Sequence, residues 1–288
     1  MSESKYLQKQ YTDNNRLVQA QVVFFDICSY SKRRSANQTQ IVDAFMACLK
    51  KSLVSLSAKF VEFAQANEFN FSTDIITLPT GDGAAVVLPF DGLPDAHLQL
   101  ACEFLKDSSS RKKEKCERFG KDGWCNCHDY FDVTIGIAEG RGILYRDLNN
   151  NFNLAGDVIN MAARAMGHAS RNQILFNDLA YKQLIDLASD AQLVDKFRTY
   201  PNIRIKHDLR INLHQYFDIK QEGLNSNPAM KLELEAEQSK MLNAMGMANP
   251  ASMNINPESE ETLKMIKGIS SMFGQQMGLA EGKVIDES

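Results

Sequence analysis

A short run of apolar residues with one acid inside it most constrains the fold of this chain. Residues 21–28, QVVFFDIC, are rich in β-branched and aromatic side chains, which is typical of a buried β-strand. Asp26 interrupts the run, and a buried carboxylate without a partner is costly in free energy. The run therefore predicts a buried strand whose acidic residue has a partner elsewhere in the chain.

Two helices and a hairpin follow this strand in the predicted order. From Asn37 to Phe63, apolar residues recur at three- and four-residue intervals, which predicts a long amphipathic helix capped near Asn37. The runs DIITLP (74–79) and AAVVLP (84–89) flank an Asp-Gly step, Asp82-Gly83, and this arrangement predicts a hairpin. A second helix is predicted from Pro94 to about Lys106, with proline in its first turn.

Strands and helices continue to alternate in the second half of the chain. The predicted elements are a strand at 131–140, a helix at 156–169, a strand at 173–176, a helix at 178–188 and a strand at 215–219. Strands that alternate with helices, together with one hairpin, predict an α/β sandwich in which helices pack on a mixed sheet.

Composition excludes several classes of protein. The 288 residues carry 32 Lys+Arg against 36 Asp+Glu, a net charge of −4, and 44% of them are hydrophobic. This balance excludes a chain that is disordered throughout and gives no reason to expect a nucleic acid partner. No apolar run approaches the ~20 residues of a membrane span, and no signal peptide is evident. We therefore expect a cytoplasmic protein with no membrane partner.

The chain is expected to divide into three parts: an N-terminal segment (1–19), a folded domain (20–220) with a polar insertion at 107–130, and a tail (221–288). The tail holds most of the twelve methionines. It is expected to be weakly helical or partly disordered, with a partner-binding surface as the alternative. The insertion holds four residues that either bind zinc or are free thiols and a histidine in a solvated loop: Cys116, Cys125, Cys127 and His128.

Asp26 and Asp82 form the first candidate site. If the first strand pairs with the hairpin, the two carboxylates come within a few ångströms of each other and repel unless a cation lies between them. Mg²⁺ or Mn²⁺ bound by carboxylates and by substrate phosphates meets this requirement. The alternative is one turn aspartate and one capping aspartate with no shared role.

Asn160 and Arg164 form the second candidate site. They are four residues apart on a predicted helix, so an amide and a guanidinium project from one face. Arg164 suits a phosphate, and Asn160 suits a ribose or a leaving-group oxygen. The alternative is an ordinary polar pair on a solvated helix face. Arg141 and Lys206 are two further cationic candidates.

Four segments in order, FFDICSYS, TGDG, TIGIAEGRG and NLAGDVINMAAR, resemble the class III nucleotidyl cyclase catalytic domain over roughly residues 20–220. The resemblance implies an α+β, ferredoxin-like βαββαβ fold with a mixed, mainly antiparallel sheet, flanking helices and a head-to-tail homodimer with its active sites at the interface. It also implies the following roles: Asp26, Asp82 and the carbonyl of Ile27 as ligands of two Mn²⁺ or Mg²⁺ ions, Asn160 and Arg164 as the transition-state pair of the other subunit, and Arg141 and Lys206 as phosphate contacts.

The resemblance also bears on the substrate. Adenylyl cyclases of this family read the base with a lysine and an aspartate, and guanylyl cyclases with a glutamate and a cysteine, at positions that are Leu78 and Asn153 here. Leu78 cannot hydrogen-bond to a purine edge. The chain is in this respect similar to the pyrimidine cyclases of bacterial antiphage signalling, known as Pycsar.

That similarity implies a uridylate cyclase, which converts UTP to 3′,5′-cyclic UMP and pyrophosphate for a separate cyclic-nucleotide-activated effector. A cytidylate cyclase that acts on CTP is the first alternative. The second alternative is an adenylyl or guanylyl cyclase with an atypical pocket. The third is a non-catalytic nucleotide-binding module.

Overall fold

The structure is a computed structural model. It describes residues 4–13, 16–90, 92–93, 95–111, 130–187, 192–205 and 209–234, and all of these fall within one compact unit. Lys206, the candidate zinc cluster at 116–128 and most of the methionine-rich tail lie outside the described residues.

Eight strands form one sheet, in the order β2-β3-β1-β4-β6-β8-β7, with β5 paired to β4. The strands are β1 (Leu17–Ile27), β2 (Ile76–Pro79), β3 (Gly83–Leu88), β4 (Val133–Arg146), β5 (Phe152–Ala155), β6 (Ile174–Asn177), β7 (Phe197–Arg204) and β8 (Arg210–Tyr216). The β4–β6 pair is parallel, whereas the other pairs are antiparallel. The predicted mixed, mainly antiparallel sheet is confirmed.

Helices lie on both faces of this sheet. In the part of the chain that the structure describes they are α1 (Lys5–Asp13), α2 (Ser35–Lys59), α3 (Val61–Ala66), α4 (Ala96–Ser110), α5 (Asp157–His168) and α6 (Asp178–Leu187), with short 3₁₀ helices at Tyr30–Lys32 and Leu193–Lys196. None of the described helices is both long enough and apolar enough to cross a lipid bilayer.

The structure departs from the sequence prediction at several boundaries. Helix α2 begins two residues before Asn37, after Arg34, whose side chain makes no capping hydrogen bond. The predicted long helix is interrupted at Phe60, where φ is −111° and ψ is 33°, so its last apolar residues belong to α3. Strand β4 runs six residues beyond Gly140, and the sequence did not predict β5, β7 or α1.

Alternation along β1 sends its side chains to two different layers. Val23, Phe25 and Ile27 enter the larger core with α2 and α4, where the Phe25 ring lies 4.7 Å from that of Phe104. Val18 and Val22 face the other side, where α1 and α5 cover part of the sheet. Strand β1 therefore belongs to both cores of the domain.

Residues beyond 220 also pack against this domain. Ala229 and Leu232 are fully buried in a cluster with residues of β6, β7 and β8. The Gln215 side-chain amide donates a 2.6 Å hydrogen bond to the carbonyl of Asn227. Chain that follows β8 therefore closes one side of this cluster.

Gly136 lets α5 lie directly on β4. A Cβ at this position would lie 2.1 Å from the Ala162 carbonyl oxygen and 2.3 Å from the Met166 nitrogen, both of which are backbone atoms. Helix α5 and the residues it carries are therefore placed by a glycine in the neighbouring strand.

We expect Gly136→Ala to lower the free energy of unfolding by about 3 kcal/mol, because helix backbone cannot yield as a side chain does. Gly167→Ala is the matched control: its Cβ would have no atom within 4 Å, and alanine stabilises a helix by about 0.5–1 kcal/mol relative to glycine. Denaturant unfolding of the two variants measures the difference. Equal stability of the two variants would contradict the proposed close contact.

Candidate active site

The backbone brings Asp26 and Asp82 together at one end of the sheet. Asp26 lies opposite Gly83 across the β1–β3 pair, and the Ile27 N–H donates a 2.8 Å hydrogen bond to the Asp82 carbonyl. A Cβ on Gly83 would lie 2.0 Å from the Phe25 carbonyl oxygen, so only glycine permits this approach. The β2–β3 hairpin therefore places a second carboxylic acid, that of Asp82, next to Asp26.

Burial and mutual repulsion act together on this pair. Burial raises the pKa of Asp26 most, and the charge of Asp82 and its hydrogen bond to Asp26 raise it further, to about 6. Among the described residues, no lysine or arginine contributes to this pKa shift. The two carboxylates thus lie in contact without a compensating cation from the described part of the chain.

Two carboxylates cannot complete the coordination shell of a metal ion. The described residues contain no group of three or more His, Cys, Asp or Glu side chains that could hold a metal ion. The donor set here consists of hard oxygens, which suit Mg²⁺ or Mn²⁺ when water or ligand oxygens complete the shell.

Helix α5 places Asn160 and Arg164 above the same face of the sheet as Asp26. Val158 and Ala162 are buried against this face, on which the side chains of β1 residues 18, 20 and 22 also lie. Asn160 is exposed, and Arg164 is half-buried with its Nη1 3.6 Å from Met161 Sδ. Each follows a sheet-facing residue, Val158 or Ala162, by two positions, which is about 200° around the helix. Both polar groups therefore lie on the side of α5 that faces away from the sheet.

Arg141 lies elsewhere. It is exposed and pairs with Gln19, which is seven residues before Asp26 on β1, a span of about 23 Å. Because seven is an odd number of residues, Gln19 and its partner Arg141 lie on the opposite face of the sheet from Asp26. One chain therefore does not bring Arg141 to the carboxylate pair, and its role as a phosphate contact stays a prediction.

The two predicted base-recognition positions are also separated. Leu78 lies opposite Ala85, which lies opposite Phe24, so Leu78 shares the face of Asp26. Asn153 lies opposite Tyr145, and both side chains are on the other face of the sheet. The Asn153 Oδ1 accepts a 2.7 Å hydrogen bond from the Leu154 N–H. Within one chain the two residues do not face a common pocket.

A buried polar network beneath the loop after β1 was missed at the sequence level. Asp132 is 4% exposed, and its carboxylate accepts hydrogen bonds from Tyr130 (2.8 Å), Asn172 (2.6 Å) and Arg171 (3.3 Å). The Asp132 carbonyl accepts from the Cys28 N–H at 2.9 Å. No local motif marks these residues, because the chain brings them together only through the pairing of β4 with β1 on one side and with β6 on the other.

The sequence comparisons find no match: no protein-family model matches the chain, and neither does any curated protein. Solved structures are similar to it. A bacterial light-regulated adenylyl cyclase aligns with a TM-score of 0.53 and 14% identity over 77% of this chain and 58% of that one. An adenylate cyclase from Trypanosoma brucei aligns at 0.49 and 19% identity, over 71% and 91% of the two chains. The guanylate cyclase domain of RhGC from Catenaria anguillulae, solved with GTP, aligns at 0.45 and 18%, over 69% and 96%.

The similarity to the light-regulated enzyme shows the fold, which is that of a class III nucleotidyl cyclase catalytic domain. The mixed sheet and flanking helices match the architecture predicted for that class. At 14% identity the similarity extends to the fold alone, since one fold can carry unrelated activities.

We expect Asp82→Asn to lower the pKa of Asp26 from about 6 part of the way towards 3.8. The substitution removes a repulsive charge and adds an amide donor, whereas burial, the largest cause of the raised pKa, remains. A folded-state pKa above the unfolded value means that stability is lost as pH rises through the interval between the two values. Without divalent cations, the variant should therefore be more stable than the wild type at pH 7.5 and equally stable near pH 3.

NMR titration of the Asp26 carboxyl and denaturant unfolding in chelator measure the two effects. Asp43→Asn, at an exposed position on α2, is the control for loss of one negative charge. An unchanged pKa of Asp26 in Asp82→Asn would show that the two carboxyls are not coupled.

Proposed function

We propose that this protein is a nucleotidyl cyclase that converts a nucleoside triphosphate, with UTP preferred, to the 3′,5′-cyclic nucleotide and pyrophosphate. The observation that carries the proposal is the Asp26–Asp82 pair: two carboxylates in contact, with no described cation beside them, at one end of a class III cyclase fold. A site that concentrates negative charge in this way suits a ligand that arrives with divalent metal ions.

In the proposed site, Asp26, Asp82 and the carbonyl of Ile27 hold two Mn²⁺ or Mg²⁺ ions. Bound there, the ions would supply positive charge for the triphosphate and lower the pKa of the ribose 3′-hydroxyl. The chain contributes fixed oxygen ligands, and the backbone hydrogen bond from Ile27 to Asp82 keeps the two acids in register.

The proposed roles of the remaining residues follow from their chemistry. The Arg164 guanidinium stabilises the charge that develops on the α-phosphate, since its planar donors match phosphate oxygens. Asn160, one helical turn away, orients the ribose. Arg141 and Lys206 hold the phosphates that leave as pyrophosphate.

We propose a head-to-tail homodimer because a single chain does not assemble this set. Arg141 lies on the opposite face of the sheet from Asp26. In the proposed dimer, the second copy presents its Arg141 to the carboxylates of the first. Three large hydrophobic side chains near Arg141 in the β1–β4 pair are exposed: Leu17 by 44%, Ile143 by 52% and Tyr145 by 38%. Burial of these side chains against a second copy would offset part of the cost of association.

UTP is proposed as the preferred substrate. The Leu78 side chain cannot form hydrogen bonds, so this position does not read a purine edge. Asn153 presents both a donor and an acceptor and suits uracil and cytosine alike, which leaves CTP as the alternative and ATP and GTP behind it. A pyrimidine product would serve antiphage signalling through a separate effector.

A competition assay with the four nucleoside triphosphates, Mn²⁺ and product identification tests the proposal. We expect a cyclic pyrimidine nucleotide from the wild type, and a loss of turnover of at least about 100-fold in Asp26→Asn and Asp82→Asn, because each removes a metal ligand. Asp43→Asn should retain full activity.

Each other result of this assay has a defined meaning. No turnover of any nucleotide, together with Mn²⁺-dependent nucleotide binding, would replace the cyclase proposal with a non-catalytic binding module. Preference for ATP or GTP in direct competition would retain the cyclase and overturn the pyrimidine assignment.

Mixing two inactive variants tests the shared site. Asp26→Ala and Arg164→Ala should each be inactive alone, and their mixture should recover about a quarter of wild-type activity, because half the dimers are mixed and each of these holds one intact site. Mixing Asp26→Ala with Asp82→Ala is the control. In the proposed dimer one chain supplies both carboxylates of each site, so this mixture should not recover activity. No recovery in the first mixture would place all catalytic groups on one chain.

A further inference from the structure

The peptide between Ile27 and Cys28 has a fixed orientation at the end of β1. It is trans, so its C=O and N–H groups point in opposite directions. The Cys28 N–H donates a 2.9 Å hydrogen bond to the carbonyl of Asp132, which directly precedes β4. The Ile27 carbonyl therefore points away from β4 and towards the β2–β3 hairpin, which carries Asp82.

The Asp132 side chain anchors the residue that orients this peptide. Its buried carboxylate accepts hydrogen bonds from the Tyr130 hydroxyl, the Asn172 amide and the Arg171 guanidinium. One of these donors is charged, and a buried carboxylate with several donors is stably held. Tyr130 precedes β4 and the other two donors precede β6, so the network ties the starts of both strands to the end of β1.

Arg171 also reaches the chain beyond Cys28. Its Nη1 lies 3.3 Å from Asp132 Oδ2, and its Nη2 donates a 3.3 Å hydrogen bond to Ser29 Oγ. Ser29 has a φ of 58° and a ψ of 30°, the left-handed conformation that is unfavourable for most residues other than glycine. We name this double contact the Arg171 bridge, and it holds an unfavourable turn directly after Cys28.

We propose that Arg171 and Ser29 are positioning residues, which keep the Ile27 carbonyl directed at a divalent metal ion in the site of the two carboxylates. This inference rests on the proposed function, because it takes that carbonyl as a ligand of the ion. Hydrogen bonds at the end of a strand open more readily than those in its middle. Without the Arg171 bridge, the turn at Ser29 would relax, the hydrogen bond of the Cys28 N–H would open more often, and the carbonyl would lose its fixed direction.

Two substitutions remove the Arg171 bridge without a change of net charge. Arg171→Lys retains a cation beside Asp132 but lacks the planar fork that reaches two acceptors at once. Ser29→Gly removes the hydroxyl and favours the left-handed conformation, so its denaturant midpoint should stay close to that of the wild type. We expect each substitution to weaken the binding of Mn²⁺ alone by about 10-fold, a usual effect of losing a hydrogen-bonding partner that orients a metal ligand.

EPR of free Mn²⁺ measures this affinity in the full-length protein, and Asp26→Asn identifies the fraction of the binding that belongs to the site. The double variant Arg171→Lys/Ser29→Gly should bind Mn²⁺ no more weakly than either single variant, because both substitutions break one contact. Independent effects would multiply to about 100-fold and would overturn the Arg171 bridge as their common cause.

Two residues of β7, an edge strand of the sheet, provide matched controls. Arg198→Lys replaces an arginine whose Nη1 donates to Gln215 Oε1 at 3.3 Å, and Asn202→Gly replaces an exposed residue with a φ of 62°. Neither control should change the affinity for Mn²⁺. An equal loss in the controls would show that the effect is not specific to the Arg171 bridge and would overturn its role.

Amide hydrogen exchange without metal gives a second measurement. The Lys32 and Arg33 N–H groups donate to the carbonyls of Ser29 and Tyr30 at 3.2 and 3.0 Å, within the turn. Both amides should exchange faster in Arg171→Lys and Ser29→Gly than in the wild type, because the turn is no longer held. Unchanged exchange at both amides would contradict the role of the Arg171 bridge.

The outcomes distinguish this inference from the proposed function. Unchanged Mn²⁺ affinity in both single variants, with or without a fall in the denaturant midpoint, overturns the positioning role and leaves the cyclase proposal intact. Weaker Mn²⁺ binding in both variants, together with no turnover of any nucleotide by the wild type, supports the positioning role at a metal site that is not a cyclase site. If the wild type binds no more Mn²⁺ than Asp26→Asn does, the metal site fails, and both proposals fall with it.

Discussion

The pairing of β1 with the start of β3 is the constraint on which the candidate site depends. Gly83 has no side chain and lies against the Phe25 carbonyl, and the Ile27 amide donates to the carbonyl of Asp82. These backbone contacts hold two acids together, and burial, followed by the charge of Asp82, raises the pKa of Asp26 to about 6. Hydrogen bonding and close packing of the backbone outweigh side-chain repulsion here, which leaves a site that a divalent cation can stabilise.

Local signals predicted the two elements that carry this pair, whereas the pairing of those elements entered the sequence prediction only as a condition. The apolar run around Asp26 predicted a buried strand, and the Asp-Gly step at Asp82 predicted the hairpin that lies beside it. The helix that carries Asn160 and Arg164 was likewise evident from its periodicity. In each case a few adjacent residues determine the local conformation, and the fold needs only to pair neighbouring elements.

Properties that depend on long-range register could not be predicted in this way. Strand β5 has four residues and is stabilised by its pairing with the end of β4, so its own sequence carries little signal. The distance of Arg141 from Asp26 follows from the alignment of β4 with β1 over eleven pairs. Phe24 and Phe25 form one apolar run in the sequence, and only the sheet shows that they enter different layers.

Strand β1 forms backbone hydrogen bonds with a neighbour on each side, β3 and β4, along the segment that carries Asp26. Amide hydrogens in such a central strand exchange with solvent mainly when the whole domain opens. One wall of the site is therefore ordered before any ligand arrives, and binding there incurs no further loss of backbone freedom. The β2–β3 turn, in which Gly81 has a φ of +95°, forms the other wall. Any backbone movement that accommodates ligands of different size would therefore occur in this turn and not in β1.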